Sequence, residues 1–142
     1  MARQPDEPAA AEIDRDVCKL VHRFAQRLDV HVRHVADELG ITATQVVALR
    51  ELSDPITARE LATRMVCEPS NVTYVLDRLE GQGMIERRPH PTDRRAKQLV
   101  LTPAGRGYRA DVLARLNAHS PLAPLSPAQQ ESLRELLQAL IA

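Results

Sequence analysis

The chain has 142 residues, enough for one domain with a hydrophobic core of its own. Nineteen basic residues balance nineteen acidic ones, and this zero net charge excludes a protein that attracts nucleic acid through its overall charge. Two distant cysteines argue against a disulfide framework or a cysteine-rich zinc site. One Phe, two Tyr and no Trp disfavour modules that stack single-stranded nucleic acid on aromatic rings.

The N-terminal third predicts a tail followed by one long helix. Residues 1–11 are rich in Pro, Ala and acidic side chains without any period, which is typical of a loose tail. Apolar residues then recur at steps of three and four from Ile13 to Leu39, which predicts an amphipathic helix roughly 40 Å long that ends at Gly40. Part of so long an apolar face is expected to pack on a second chain.

Start and stop signals predict three further helices. Capping boxes at 42–45 and 57–60 begin the first two, and Pro69 begins the third at a position where its missing N–H costs nothing. That third helix, over 69–82, faces four apolar residues inward: Val72, Val75, Leu76 and Leu79. Because a turn of only about three residues (66–68) separates the last two helices, they are interpreted as a helix-turn-helix with 69–82 as its recognition helix.

The next segment predicts a β-hairpin. Residues 84–88 and 97–101 are strand candidates, and Pro89 and Pro91 prevent the residues between them from continuing the ladder, so 89–97 is expected to protrude as a wing. Thr102-Pro103 begins a fifth helix and a capping box at Ser126 begins the last. The predicted fold class is mainly α with a small β-hairpin wing (α+β), as one domain over 12–142.

A polar face on the recognition helix supplies candidate DNA contacts. Five side chains lie away from its apolar stripe: Ser70, Asn71, Thr73, Tyr74 and Arg78. Asn and Arg can each form two hydrogen bonds with one base edge, whereas Ser and Thr suit phosphates. A hydrated helix face would use the same residue types, so the assignment depends on the turn before the helix and the wing after it.

The wing carries a local excess of positive charge. Between residues 85 and 109 seven basic residues face two acidic ones. Arg94 and Arg95, followed by Lys97, are predicted to approach a minor groove, whose negative potential attracts guanidinium groups. Asp93 is expected to hold one of these arginines in place through a charge-assisted hydrogen bond. The alternative is a hydrated surface turn.

Two motifs in this order carry a family resemblance. The recognition-helix pattern V-T…L-D-R-L-E…G is matched by Val72, Thr73, residues 76–80 and Gly83, and the wing pattern D-x-R…L-x-L-T by Asp93, Arg95, Leu99, Leu101 and Thr102. With these motifs the chain resembles the MarR (multiple antibiotic resistance regulator) family. The match in helix order extends from about Ile13 to Ala142.

The resemblance implies a homodimeric winged helix-turn-helix regulator of the bacterial or archaeal cytoplasm, associated with the nucleoid. Residues 12–40 and 103–142 would form the dimerisation helices and 41–102 the DNA-binding region. A recognition helix in a major groove and a wing in a minor groove predict a pseudo-palindromic operator with half-sites about one helical turn apart. Family members are usually repressors released by a small ligand, and no cofactor is implied.

An alternative signal is oxidation. Cys18 lies 23 residues before Ile41, a register that resembles the reactive cysteine of the family's organic-hydroperoxide sensors, and a protonated His22 would activate its thiol. The first helix lacks the tyrosines with which those sensors bind the oxidised cysteine. The favoured interpretation is therefore a small buried residue at 18, and a structural role for Cys67.

A metal site and two other function classes, an enzyme and an interaction module, receive less support. His31, His34 and Glu38 share a helix face, but three ligands on one helix need a fourth from elsewhere, for which His119 is the candidate, so no metal site is predicted. Enzyme motifs such as a Gly-rich phosphate loop, HExxH or G-x-S-x-G are missing. A winged-helix interaction module without DNA affinity is the third class, and the wing arginines disfavour it.

Overall fold

A computed structural model describes residues 7–66 and 69–142, without the side chains of Glu7, Pro69 and Ser70. Within those ranges the elements are α1 (Glu7–Leu39), α2 (Ala43–Glu51), β1 (Ile56–Thr57), α3 (Ala58–Met65), α4 (Pro69–Gly81), β2 (Ile85–Pro89), β3 (Lys97–Leu101), α5 (Pro103–Ala118) and α6 (Pro127–Ile141). The predicted class, mainly α with a small β wing, is confirmed.

The first helix begins earlier than the apolar period predicted. It starts at Glu7 and runs for 33 residues to Leu39, so the predicted loose tail is wrong for residues 7–11. Consecutive alanines explain the extension, because alanine is the best helix former and Pro8 is tolerated in a first turn. Residues 1–6 of the predicted tail lie outside the described residues. Gly40 ends the helix with a φ of +68°, a conformation that glycine adopts without a steric penalty.

The predicted caps form, one of them only in part. Thr42 and Gln45 make a complete capping box at α2, and Ser126 and Gln129 make another at α6. At α3 the Thr57 hydroxyl accepts the backbone N–H of Glu60 at 3.2 Å, but the Glu60 carboxylate accepts from that hydroxyl instead of the backbone. Only half of the predicted box therefore forms there.

A strand that the sequence did not reveal completes the sheet. Its order is β1-β3-β2, antiparallel throughout, with Ile56 of β1 opposite Leu99 of β3. Pro89 pairs with Lys97, so it belongs to the ladder, and the connecting loop of the wing is 90–96 instead of the predicted 89–97. Proline is tolerated here because β2 is an edge strand.

The core lies between α2, α3, α4, the sheet and the facing parts of α1 and α5. Its largest fully buried side chains include Leu49, Leu52, Ile56, Leu61, Leu76, Leu79, Ile85 and Leu99. In contrast, α6 buries no residue, and the N-terminal half of α1 exposes most of its apolar stripe. Across residues 7–66 and 69–142, no helix is both long and apolar enough to span a bilayer.

Candidate nucleic-acid interface

The burial of α4 determines which of its side chains face solvent. Its inward stripe is almost completely buried, as predicted: Val72, Val75, Leu76 and Leu79. Because these four residues fix the rotation of the helix about its axis, Asn71, Thr73, Tyr74 and Arg78 are all exposed on the opposite side. The predicted polar face therefore exists as a surface. The side chain of Ser70, the fifth candidate, lies outside the described residues.

Two of these residues form a pair on the helix surface. The guanidinium carbon of Arg78 lies 5.9 Å from the ring centroid of Tyr74, and its Nη1 lies 3.5 Å from the Tyr74 hydroxyl. A cation over an aromatic face gains electrostatic stabilisation and loses rotamer freedom. Tyr74 remains 65% exposed, so the pair is accessible to a partner.

Acidic residues on the same helix are neutralised from the sheet. Asp77 accepts from Nη2 of Arg87 at 2.7 Å, and Glu80 lies 3.8 Å from its Nη1. Without a counter-charge, a carboxylate beside a polyanion would oppose binding. Arg87 of β2 thus removes that penalty and ties the wing strand to α4.

The basic segment of residues 85–109 is divided between two tasks. Four of its arginines make contacts within the chain: Arg87 and Arg88 form ion pairs, and Arg106 and Arg109 donate to backbone carbonyls. The remaining cations, Arg94, Arg95 and Lys97, are exposed and form no ion pair within the described residues. The charge available to a partner is therefore concentrated at the wing.

The wing turn is held by side chains that bond to the backbone. Asp93 accepts the backbone N–H of Arg95 at 2.9 Å, so it orients the chain at Arg95 and not, as expected, a guanidinium group. The short side chain of Asp favours this local bond because it reaches an amide two residues on. His90 Nδ1 also accepts the N–H groups of Thr92 and Asp93, at 3.1 and 3.0 Å. Sequence reasoning missed His90, whose proximity to the turn was the available signal.

The recognition helix and the wing border one groove. A cavity of about 510 Å³ has Thr73 of α4 on one wall, Asp93 and Lys97 of the wing on another, and Arg59 of α3 beside them. Arg59 is exposed and forms no ion pair among the described residues, which makes it a further candidate contact. The sequence placed it in a first helical turn but gave no sign that this turn adjoins the wing.

Comparisons with known proteins identify the family. The sequence-family model of the MarR family matches residues 41–97, which extend from α2 to the wing. Over 108 residues the chain is 30% identical to the HTH-type transcriptional repressor MdtR of Bacillus subtilis (strain 168), covering 75% of this chain and 70% of that protein. The chain belongs to the MarR family.

Solved structures agree with this family assignment. A probable transcriptional regulator from Pseudomonas aeruginosa is 30% identical, with a TM-score of 0.69 over 90% of this chain and 98% of that one. A cysteine-to-serine mutant of MarR from Escherichia coli, complexed with operator DNA, is 26% identical, with a TM-score of 0.72 over 89% and 94% of the two chains. The MarR-family fold therefore extends well beyond the segment that the family model matches.

The other candidate residues of this MarR-family chain lie on α1. Cys18 is exposed, so the expectation that it is buried is wrong for the single chain, in which none of the described residues covers its side chain. Cys67 lies outside the described residues. His31 Nε2 lies 2.8 Å from the carbonyl of Leu116 and His34 Nε2 lies 2.9 Å from Glu38, so the two imidazoles bond to different partners. Among the described residues no cluster suited to a metal ion is found.

Proposed function

We propose that this protein is a homodimeric transcriptional repressor that binds a pseudo-palindromic double-stranded DNA operator and is released by a small ligand. In each protomer α4 would enter a major groove and the wing a flanking minor groove. The repressor MdtR and the operator complex of Escherichia coli MarR support this proposal, since both are relatives of the chain. We place the protein in the cytoplasm, on DNA.

One observation carries the proposal: the exposed polar face of α4 adjoins the basic wing, and Thr73 of that face and Lys97 of the wing line the same groove. Recognition-helix side chains that are fixed in rotation can read base edges, and cations displaced to one side can bind the flanking phosphates. This geometry favours DNA binding over the alternative of an interaction module without DNA affinity. The regulator relatives likewise favour regulation over catalysis.

The dimer is supported by apolar surface that the single chain leaves uncovered. The exposed stripe of α1 and the exposed leucines of α6 lie on two of the three helices assigned to dimerisation, in residues 12–40 and 103–142. A second copy would cover both. It would also place two recognition helices on one face, as a pseudo-palindromic operator with half-sites about 10–10.5 bp apart requires.

The experiment is a fluorescence-anisotropy titration of a duplex from the promoter region of the protein's own gene. Arg95→Ala is expected to weaken binding to every sequence and to lower the salt slope by about one phosphate per wing. Asn71→Ala is expected to relax base preference at one position in each half-site, by about 1–3 kcal/mol.

The matched control is Arg50→Ala, which removes an exposed arginine that pairs with Glu51 at 2.9 Å and belongs to α2, not to α4 or the wing. It should leave affinity and salt slope unchanged. If Arg95→Ala and Asn71→Ala both bind as tightly as the wild type, the groove assignments are wrong. If the wild type shows no preference for any duplex, the proposed function is wrong.

A further inference from the structure

A single polar side chain lies inside the core of the winged unit, the proposed DNA-binding region of residues 41–102. Gln45 is 1% exposed, and no other polar residue is buried in the part of the chain that the structure describes. An amide taken out of water costs free energy unless its donors and acceptors are paired. An apolar residue of similar size would avoid that cost, so the contacts of Gln45 call for a reason other than core stability.

The hydrogen bonds of Gln45 connect the beginning of one helix with the end of another. Its Oε1 accepts the backbone N–H of Thr42 at 2.9 Å, which completes the α2 cap. Because this N–H needs an acceptor, the amide orientation is fixed and Nε2 faces Gln82, whose Oε1 accepts at 2.9 Å. Gln82 follows directly after α4, and its own N–H donates to the carbonyl of Arg78 at 3.0 Å.

The α2 end of this connection is joined tightly to α1. Gly40 turns the chain in the left-handed region, and the N–H of Ile41 donates to the carbonyl of Ala36 at 3.0 Å. After Ile41 only Thr42, the N-cap residue, precedes α2. The first turn of α2 is therefore fixed to the end of the long helix.

The α4 end is held from a second side by α5. The Thr102 hydroxyl donates to the carbonyl of Gly83 at 2.5 Å. A Cβ on Gly105 would lie 1.9 Å from the carbonyl oxygen of Met84, so the backbones of α5 and the turn after α4 are in direct contact. The turn that ends the recognition helix, residues 82–84, thus lies between α2 and α5, with the Gln45–Gln82 pair as the polar contact on the α2 side.

We propose that the Gln45–Gln82 amide pair is a positioning contact for DNA reading. It sets the angle of α4 relative to α1 and thereby allows both recognition helices of a dimer to meet their half-sites together. This role rests on the proposed function. A half-buried pair, in which the buried Gln45 amide has one fixed donor and acceptor geometry, suits the task because it specifies one arrangement, which interchangeable apolar contacts do not.

The test compares two duplexes, the promoter duplex and an unrelated duplex of equal length, for the wild type and three variants. Gln82→Met removes the acceptor at an exposed position and leaves the α2 cap intact. Gln82→Glu keeps an acceptor for Gln45 Nε2. Gln129→Met is the matched control, because Gln129 is likewise exposed and its Oε1 likewise accepts one hydrogen bond, from the Ser126 N–H at 2.9 Å, but at the start of α6.

We expect Gln82→Met to lower affinity for the promoter duplex by about tenfold, the factor that corresponds to one net hydrogen bond, and to leave the unrelated duplex unaffected. Gln82→Glu should keep the wild-type ratio of the two affinities, although its added charge weakens both. Gln129→Met should keep both affinities. A structural contribution alone would change the melting temperature without changing the ratio.

Three outcomes overturn the inference. If Gln82→Met folds and keeps the wild-type affinity ratio, the pair does not position α4, while the proposed function stands. If Gln82→Glu loses the ratio as completely as Gln82→Met, the hydrogen bond is not the cause. A wild type that binds both duplexes equally contradicts the proposed function and this inference together.

Discussion

Two regions of this chain follow the same helical apolar period, but one is buried within the chain and the other is left exposed. In the winged unit, the apolar residues of α2, α3 and α4 are almost entirely buried by their own chain. In α1 and α6 the same period leaves Leu20 60% and Leu140 76% exposed. Amphipathic periodicity therefore predicts that a face will be covered, but it does not say by which chain.

The uncovered region also contains an apolar cavity. The N-terminal half of α1 and the segment from 121 to 137 form an apolar cavity of about 380 Å³, lined by Leu20, Phe24, Leu122 and Leu133 among others. Exposed apolar patches of this kind mark association sites in water-exposed proteins. In the proposed dimer this region would be half of an interface, whereas the core of the winged unit is completed within one chain.

The largest effect should follow from a charge placed on the uncovered face. Leu20→Asp is expected to separate the dimer at micromolar concentration and to abolish tight operator binding. Each leucine side chain buried in the interface contributes about 1.5–3 kcal/mol, two-fold symmetry doubles the loss, and a buried carboxylate adds a desolvation cost. Sedimentation velocity measures the assembly state, and anisotropy measures the binding.

The control for this variant is Gln26→Asp, on the opposite side of α1. It introduces the same single negative charge on the same helix at an exposed position outside the apolar stripe. It should leave the dimer intact. If both variants dissociate equally, added charge and not the loss of an interface leucine separates the subunits. If Leu20→Asp remains a dimer, the apolar face of α1 is not covered by a second chain.

A cavity in the completed core should have a smaller effect of another kind. Leu49 is fully buried, and Leu49→Ala is expected to lower the free energy of unfolding by about 2–5 kcal/mol while the subunits stay associated. Urea titrations at two protein concentrations test this. The shift between wild type and variant should be the same at both, because the lost contacts lie within one chain; a shift confined to low concentration would place Leu49 at the interface.

Sequence reasoning succeeded where the signals are local. Pro69 and the apolar stripe predicted α4 and its orientation, and the Thr42 and Ser126 capping boxes predicted two helix starts. Each of these features depends on residues within about one turn of one another, where backbone hydrogen bonding is decided. The fold class followed from them.

It failed where the partner is distant along the chain. Strand β1 has only two residues and exists because Leu99, some forty positions later, pairs with Ile56. Arg87 looked like part of a DNA-binding patch, but its guanidinium group bonds to Asp77. Gln45 was identified as a capping residue, and nothing near it in sequence indicated Gln82. These contacts depend on tertiary packing, which local pattern does not encode.

The smallest effect should appear at the contact where the two regions meet. Glu38, near the end of α1, bonds to Arg115 of α5 at 2.5 Å and to His34 at 2.9 Å. The hydrogen bond from Arg115 holds the pKa of the Glu38 carboxyl below its usual 4.5, with a smaller contribution from the charge of His34. A carboxyl with a lowered pKa stabilises the folded state above its unfolded pKa, and this contribution is lost as the pH falls through the lowered value.

Above pH 4.5, Glu38→Gln should therefore cause a small decrease in the melting temperature. At a pH low enough to protonate the wild-type carboxyl, the substitution should have no effect. The effect stays small because the ion pair is exposed to solvent. Glu131→Gln, which breaks an exposed ion pair within α6, is the control and should not alter any contact between helices. If Glu38→Gln alone lowers the melting temperature in a pH-dependent way and the protein stays dimeric, the last turns of α1 belong to the winged unit. If Glu38→Gln instead dissociates the dimer, α1 belongs to the dimerisation region up to and beyond residue 38.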